Sequence, residues 1–236
     1  MTGTKTSKSA MGIPKYSGQG AKALKLIAAV LSLMLTLPFL AGAQEAAATP
    51  EQHRQLLQQI AAASAGMESL ACDFEQTRVS SMLSGEVTSI GKMYYKRQNS
   101  CLRWEYAPPL AYTLILNGKK SLMLAGGRSI SDAKLSRFFQ EMVGVMVSGI
   151  SGSGLTDTKS FDVTCHREAA QGEVVLVPLR REMKKMLASI KLTFNLKDYT
   201  ADVIELQEKN GDATIIRLLN KQLNVALDEA KFNVEF

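Results

Sequence analysis

The sequence predicts a mainly β chain with a few helices: one antiparallel sheet large enough to curl, with amphipathic helices laid over its apolar face. Three observations carry this prediction. Runs of alternating apolar and polar residues recur along the chain, the period-2 mark of strands with one greasy and one wet face. Asn117-Gly118 and Asn210-Gly211 separate such runs, and Asn-Gly suits tight hairpins. Two segments, one near residue 50 and one at 132–148, carry the 3.6-residue period of helices instead.

Residues 1–43 read as a leader outside the fold. Lys5, Lys8, Lys15, Lys22 and Lys25 form a positive region without acids, Leu26 to Leu37 is almost wholly apolar, and Ala41-Gly42-Ala43 supplies small residues for cleavage. That is the pattern of a cleaved secretory signal peptide; the apolar run is short for the alternative, an uncleaved membrane anchor. Met11 offers a second start. The leader also explains the charge. The chain has 28 Lys+Arg against 22 Asp+Glu, and without the five leader lysines 23 basic residues face 22 acidic ones. The net charge then falls from +6 to +1, too little to favour a nucleic-acid partner. Residues 44–236, 193 in all, suffice for one core and read as a single domain. Export permits disulfides, but Cys72, Cys101 and Cys165 are odd in number and irregularly spaced, and no cysteine follows the cleavage point to take a lipid. The expectation is a soluble exported monomer.

Thr49-Pro50-Glu51-Gln52 opens the first helix as cap, first-turn proline and capping-box partner, and Gly66 can end it. Leu56, Leu57, Ile60 and Met67 form its apolar stripe. A strand follows with Leu70, Cys72 and Phe74 on one face. Gly85 turns the chain into a strand from Val87 to Tyr95, Gln98-Asn99-Ser100 breaks it, and Leu102, Trp104 and Tyr106 then alternate with Arg103 and Glu105. Arg103 and Glu105 read as solvated cross-strand pairs. Strands Tyr112 to Leu116 and Ser121 to Ala125 flank Asn117-Gly118, and Gly126-Gly127 ends the run. In the helix Asp132 to Ser148, Leu135, Phe138, Phe139, Met142, Val143 and Met146 share one face. Ser151 to Thr158 is a glycine-rich loop. Strands Phe161 to Cys165, Glu173 to Leu179, Ile190 to Leu196, Val203 to Gln207 and Thr214 to Leu219 follow, interrupted by the basic segment Arg180 to Met186. A short helix at Leu227 to Ala230 and a last strand, Phe232 to Phe236, close the chain, for about ten strands in all. A sheet of that size curls, and its apolar side must be covered.

The stretch Gly91 to Tyr106, GKMYYKRQNSCLRWEY, resembles the signature of the periplasmic outer-membrane lipoprotein carriers, the LolA family: a Gly-x-hydrophobic-aromatic strand, a Lys/Arg pair, a turn, then Arg-Trp-Glu-Tyr and a proline. Phe74-Glu75-Gln76, Asn117-Gly118 and Ala230-Lys231-Phe232 extend the match in order over Thr49 to Phe236. Gln98 stands where the family has proline, and the turn is one residue longer. The resemblance implies a half-barrel, an incomplete and strongly curved antiparallel β-barrel, with an α-helical lid over an apolar cavity. On the alternation above, that cavity would be lined by Phe74, Met93, Tyr95, Leu102, Trp104, Tyr106, Leu114 and Leu116 from the sheet and by Leu135, Phe138, Phe139, Met142 and Met146 from the lid. Methionine adapts to irregular partners, as acyl chains are. The resemblance further implies that Arg97 latches the empty lid through backbone carbonyls; otherwise it is an exposed arginine at a strand end.

No enzymatic constellation emerges. HExxH, CxxC and GxSxG are missing, His53 reads as facing solvent, and Cys165 and His166, adjacent in a strand, would point to opposite faces. No catalytic residue, metal or cofactor is expected. The basic segment Arg180 to Met186 reads as a solvated loop or a docking patch for an acidic partner or lipid headgroups. The function implied is carriage of acylated lipoproteins from an inner-membrane ABC-type release complex to an outer-membrane receptor lipoprotein. The alternatives are a half-barrel regulator that senses misplaced lipoproteins and binds an anti-sigma factor, and a general lipid-binding module. Strand pairing also brings Cys72 towards Cys101, and a disulfide between them is expected if the register allows it.

Overall fold

The computed structural model describes residues 50–80, 85–130, 157–168 and 170–235, with 147, 150 and 155. In these residues the first helix, α1 (Pro50–Ala65), leads into β1 (Ser69–Val79), β2 (Glu86–Lys96), β3 (Cys101–Tyr106), β4 (Tyr112–Asn117), β5 (Lys120–Ala125) and the short β6 (Arg128–Ser129). After the connection come β7 (Phe161–Arg167), β8 (Gln171–Pro178), the short helix α2 (Arg181–Met186), β9 (Leu187–Asn195), β10 (Ala201–Glu208) and β11 (Ala213–Leu223). Each half is an antiparallel meander, and the two join where β1 pairs with β11, giving the order β6-β5-β4-β3-β2-β1-β11-β10-β9-β8-β7. The end strands β6 and β7 do not pair, so the sheet is an open half-barrel.

Register places the apolar residues. Phe74 stands opposite Gly91 on one side and Leu218 on the other, and Met93 stands opposite Cys72 and Trp104. Leu114 follows opposite Trp104 and Met123 opposite Leu114. In the other meander Ile216, Ile204, Leu192, Val174 and Cys165 form a parallel row that meets β1 at Gln76. With period-2 side chains, this row and its parallels make one continuous inner face, and its members are nearly all buried. α1 covers part of it: Leu56 and Ile60 are buried, and α1 packs on β7. Leu56 rests on Gly172 of β8, where an added Cβ would lie 2.8 Å from its Cδ1. The glycine is what lets the helix approach the sheet so closely.

The other face is wet. Lys191 sits between Glu173 and Glu205, at 3.8 and 3.0 Å, and Lys92 meets Asp73 at 2.8 Å. A small second cluster interrupts it. Cys101 and Ile115 lie on this face and are buried, and the 3-10 turn Glu229–Phe232 packs over β3 and β4 with Phe232 fully covered. Asn117 donates to the Phe232 carbonyl, and Lys120 pairs with Glu235 at 2.7 Å. The expected last strand is therefore absent over the described 232–235: Phe232 plugs the outer face and no neighbouring strand is left to pair with this segment.

The cysteine expectation fails on register. Cys72 opposes Met93, and Cys101 opposes Lys96, which puts the thiols on opposite faces. Two strands at about 4.8 Å and three residues at about 3.3 Å separate them, well beyond the roughly 7 Å that a disulfide can span. All three cysteines are free and buried.

Candidate functional site

The eight sheet residues expected to line a cavity all fall on the inner face, within one apolar cluster. Its centre is aromatic. Phe74 stacks on Trp104 with ring centroids 4.0 Å apart and 27° between planes, and Tyr106 meets Phe74 edge-on at 5.2 Å. Gly91 makes this possible: a Cβ there would lie 2.5 Å from Phe74 Cζ and 2.1 Å from the Glu105 carbonyl oxygen. The Phe74 ring therefore lies directly over bare backbone. Tyr106 donates its hydroxyl to Gln76 Oε1 at 2.8 Å, while the buried Trp104 Nε1 has no hydrogen-bond partner. Met93, Leu102 and Tyr95 continue the surface towards the end of β2 with at most 2% exposure. Burial pushes the Tyr95 and Tyr106 phenols up.

The expected lid residues Leu135, Phe138, Phe139, Met142 and Met146 lie outside the described residues. Val147 and Ile150 are helical, and Ile150 and Leu155 are buried in the inner cluster.

Arg97 follows β2 directly. Its Nε donates to the Met67 carbonyl at 2.8 Å and its Nη2 to the Ser64 carbonyl, at the C-terminal end of α1. Ser64 is in the last turn of α1, where C=O groups lack an i+4 donor, and its carbonyl also takes the Met67 N–H at 3.0 Å; Met67 lies just beyond the helix. The Arg97 backbone N–H also reaches the Glu68 carbonyl at 2.9 Å. Ser64 in turn donates its hydroxyl to the Ile150 carbonyl at 3.4 Å. A chain of contacts thus runs from β2 through α1 to the segment behind the expected lid. Asn224 reinforces it, donating to the Gly66 carbonyl and accepting from the Glu68 N–H. Gln98-Asn99-Ser100 forms the turn, with Asn99 in the left-handed region that asparagine tolerates.

Several side chains differ from expectation. Arg103 pairs with Glu105 along its own strand at 2.8 Å, not across strands, and also reaches the Lys231 carbonyl. His53 is half-buried, not solvent-facing: its ring lies 6.3 Å from His166, edge-on, and Cys165 Sγ donates to its carbonyl. Burial pushes the Cys165 and Cys101 thiols up and raises Cys72 to about 12, with the neighbouring Asp73 carboxylate adding to it. A thiol so held is a poor nucleophile. The basic segment forms α2, whose Met183 and Met186 pack on the core while Arg181, Lys184 and Lys185 are exposed. Sequence reasoning missed the far half of the inner face, from Ile216 to Val174, and also Gln76 and Ser64. The alternation of β8 to β11 carried the first signal and the spacing Phe74-x-Gln76 the second; Ser64 shows no sequence signal, because its carbonyl and its hydroxyl both meet segments distant in the chain.

The model of the family described as outer membrane lipoprotein carrier protein LolA matches residues 65–235. The chain belongs to the LolA family. That family is a periplasmic binding and carrier fold. No curated protein matches the chain. Among solved structures, a LolA-superfamily protein from Nitrosomonas europaea is 9% identical, covering 77% of this chain and 97% of its own, with a TM-score of 0.43. The lipoprotein LppX of Mycobacterium tuberculosis is 11% identical over 77% and 99%, with a TM-score of 0.43. MucB of Pseudomonas aeruginosa, solved in complex with MucA, is 10% identical with a TM-score of 0.44; the match covers 77% of this chain and spans 60% of the MucB chain.

Proposed function

We propose that this chain carries lipid-modified proteins through the periplasm. It takes their acyl chains from an inner-membrane ABC-type release complex and delivers them to an outer-membrane receptor lipoprotein. Residues 1–43 act as the cleaved leader and 44–236 as the carrier domain. The acyl chains lie against the inner face from Phe74 to Leu116, under the helix 132–148 with Leu135, Phe138, Phe139, Met142 and Met146 turned inward. Family membership supports this reading, and one observation carries it: Arg97 joins the end of the apolar strand β2 to the end of the covering helix α1. A carrier needs a counterforce to release what it shelters, since each buried methylene contributes roughly 0.8 kcal/mol. Lid and cargo compete for one apolar surface, which supplies most of that counterforce, and a latch biases the protein towards the closed, empty state. The test is to isolate the protein from periplasm under native conditions and identify what accompanies it by mass spectrometry. Acylated lipoproteins in near-stoichiometric amount are expected. An anti-sigma factor or free lipids in their place would sink the carrier reading in favour of a sensor or a general lipid-binding module.

A further inference from the structure

The aromatic centre of the inner face carries one unpaired polar group. Trp104 is only 3% exposed, yet its indole N–H has no partner. Leaving a buried donor unmade is costly, so an unpaired one calls for a partner. Two other neutral polar groups lie in the same aromatic cluster. Tyr106 donates to Gln76 Oε1, and its ring meets Trp104 edge-on with centroids 6.4 Å apart. This spot offers one unpaired donor, carries no charge, and is set in an aliphatic and aromatic wall.

From this we infer that Trp104, with Gln76 and Tyr106, forms a recognition point for the ester carbonyl at the glycerol end of paired acyl chains. The inference rests on the carrier reading and sharpens its ligand. A neutral donor matches a neutral acceptor on an apolar chain. A free fatty-acid carboxylate would need a cation here. Arg78, the next inward residue of β1 after Gln76, is already held by Asp212 at 3.2 Å and Glu208 at 3.2 Å. Esterified chains are therefore preferred over free acids, and ester over ether linkages. Diacylated S-glycerylcysteine and glycerophospholipids share this ester chemistry.

Trp104 is the only tryptophan, so its emission reports on its own hydrogen bond. The experiment uses short, soluble ligands: a dioctanoyl-S-glycerylcysteinyl peptide, its dioctyl ether counterpart, dioctanoyl phosphatidylglycerol and octanoate. The ester peptide should bind wild-type protein about 5- to 10-fold more tightly than the ether, the difference of one neutral hydrogen bond, and should shift the emission to the red where the ether does not. Trp104→Phe keeps the stack on Phe74 but lacks the donor, so the ester-to-ether ratio should fall to about one. If that variant does not fold, the wild-type ratio and emission shift still decide. Equal binding of ester and ether to wild type, or a preference that survives Trp104→Phe, overturns this inference and leaves the carrier reading intact. Binding of neither peptide overturns both. Tighter binding of octanoate than of the ester refutes the neutral site. Phosphatidylglycerol that binds as well as the peptide, with the same dependence on Trp104, upholds the ester site and names phospholipid as its source.

Discussion

Arg97→Leu separates a latch from an incidental contact. The guanidinium makes two charge-assisted bonds to carbonyls at the end of α1, and its side chain is 34% exposed. Hydrogen bonds to charged groups contribute about 1.5–3 kcal/mol each when buried. Solvent screening lowers that, so about 2 kcal/mol for the pair is a fair magnitude. Losing it moves the balance between closed and open forms about 30-fold towards open. Closure competes with cargo, so the variant should bind a lipopeptide up to about 30-fold more tightly and release it more slowly. In a membrane-to-membrane assay it should accept lipoprotein normally and hand it on poorly. Arg97→Lys keeps the charge but loses the fork that spans two carbonyls, so it should fall between. The inner face itself should persist, because Leu56 on Gly172 and Asn224 on Gly66 still hold α1. Wild-type affinity together with wild-type handover in Arg97→Leu would refute the latch.

The remaining predictions concern packing and chemistry. Gly91→Ala drives a methyl group into the Glu105 carbonyl and the Phe74 ring, and urea unfolding should show a loss of about 2–4 kcal/mol; a loss under 1 kcal/mol would mean that β2 and β3 shift apart cheaply. Intact mass should show three free thiols, and a thiol reagent at pH 8 should label Cys72, whose pKa is raised to about 12, only when the protein unfolds; peptide mapping that finds a Cys72–Cys101 bridge contradicts the register. Phe139→Glu, in the proposed lid, should abolish lipopeptide binding while most thermal stability remains; global unfolding at ordinary temperature would make that helix core.

Most of the sheet was legible because its strands have one wet face. In β1, Leu70, Cys72 and Phe74 alternate with Asp73 and Glu75, and once one pair is in register every neighbour follows. The aromatic centre was legible for the same reason, since Trp104 and Tyr106 differ by two residues. What was lost depends on contacts between distant segments. Phe232 and Val234 alternate as a strand would, but nothing local shows that Cys101 and Ile115 leave a gap on the outer face for Phe232 to fill. His53 has glutamine and arginine around it and reads as solvated; only the fold brings β7 against that side of α1. The close approach at Gly172 was equally hidden, because it appears as one glycine in an ordinary strand.

The latch cannot by itself expel cargo. Sheltering a dozen methylenes contributes about 10 kcal/mol, several times the roughly 2 kcal/mol assigned to two exposed-edge hydrogen bonds. Most of the counterforce must therefore come from apolar side chains that take the cargo's place, and the inner face from Phe74 to Leu116 is the surface on which they would compete. Arg97 then has a different task. It bonds to the Ser64 carbonyl, and the Ser64 hydroxyl bonds to the Ile150 carbonyl, so two side chains in series tie the sheet to α1 and α1 to the segment beyond the proposed lid. Breaking that tie costs little against the burial energy, yet it must happen before those elements can separate. On this reading the apolar face sets how tightly cargo is held, and Arg97 sets the bias between closed and open.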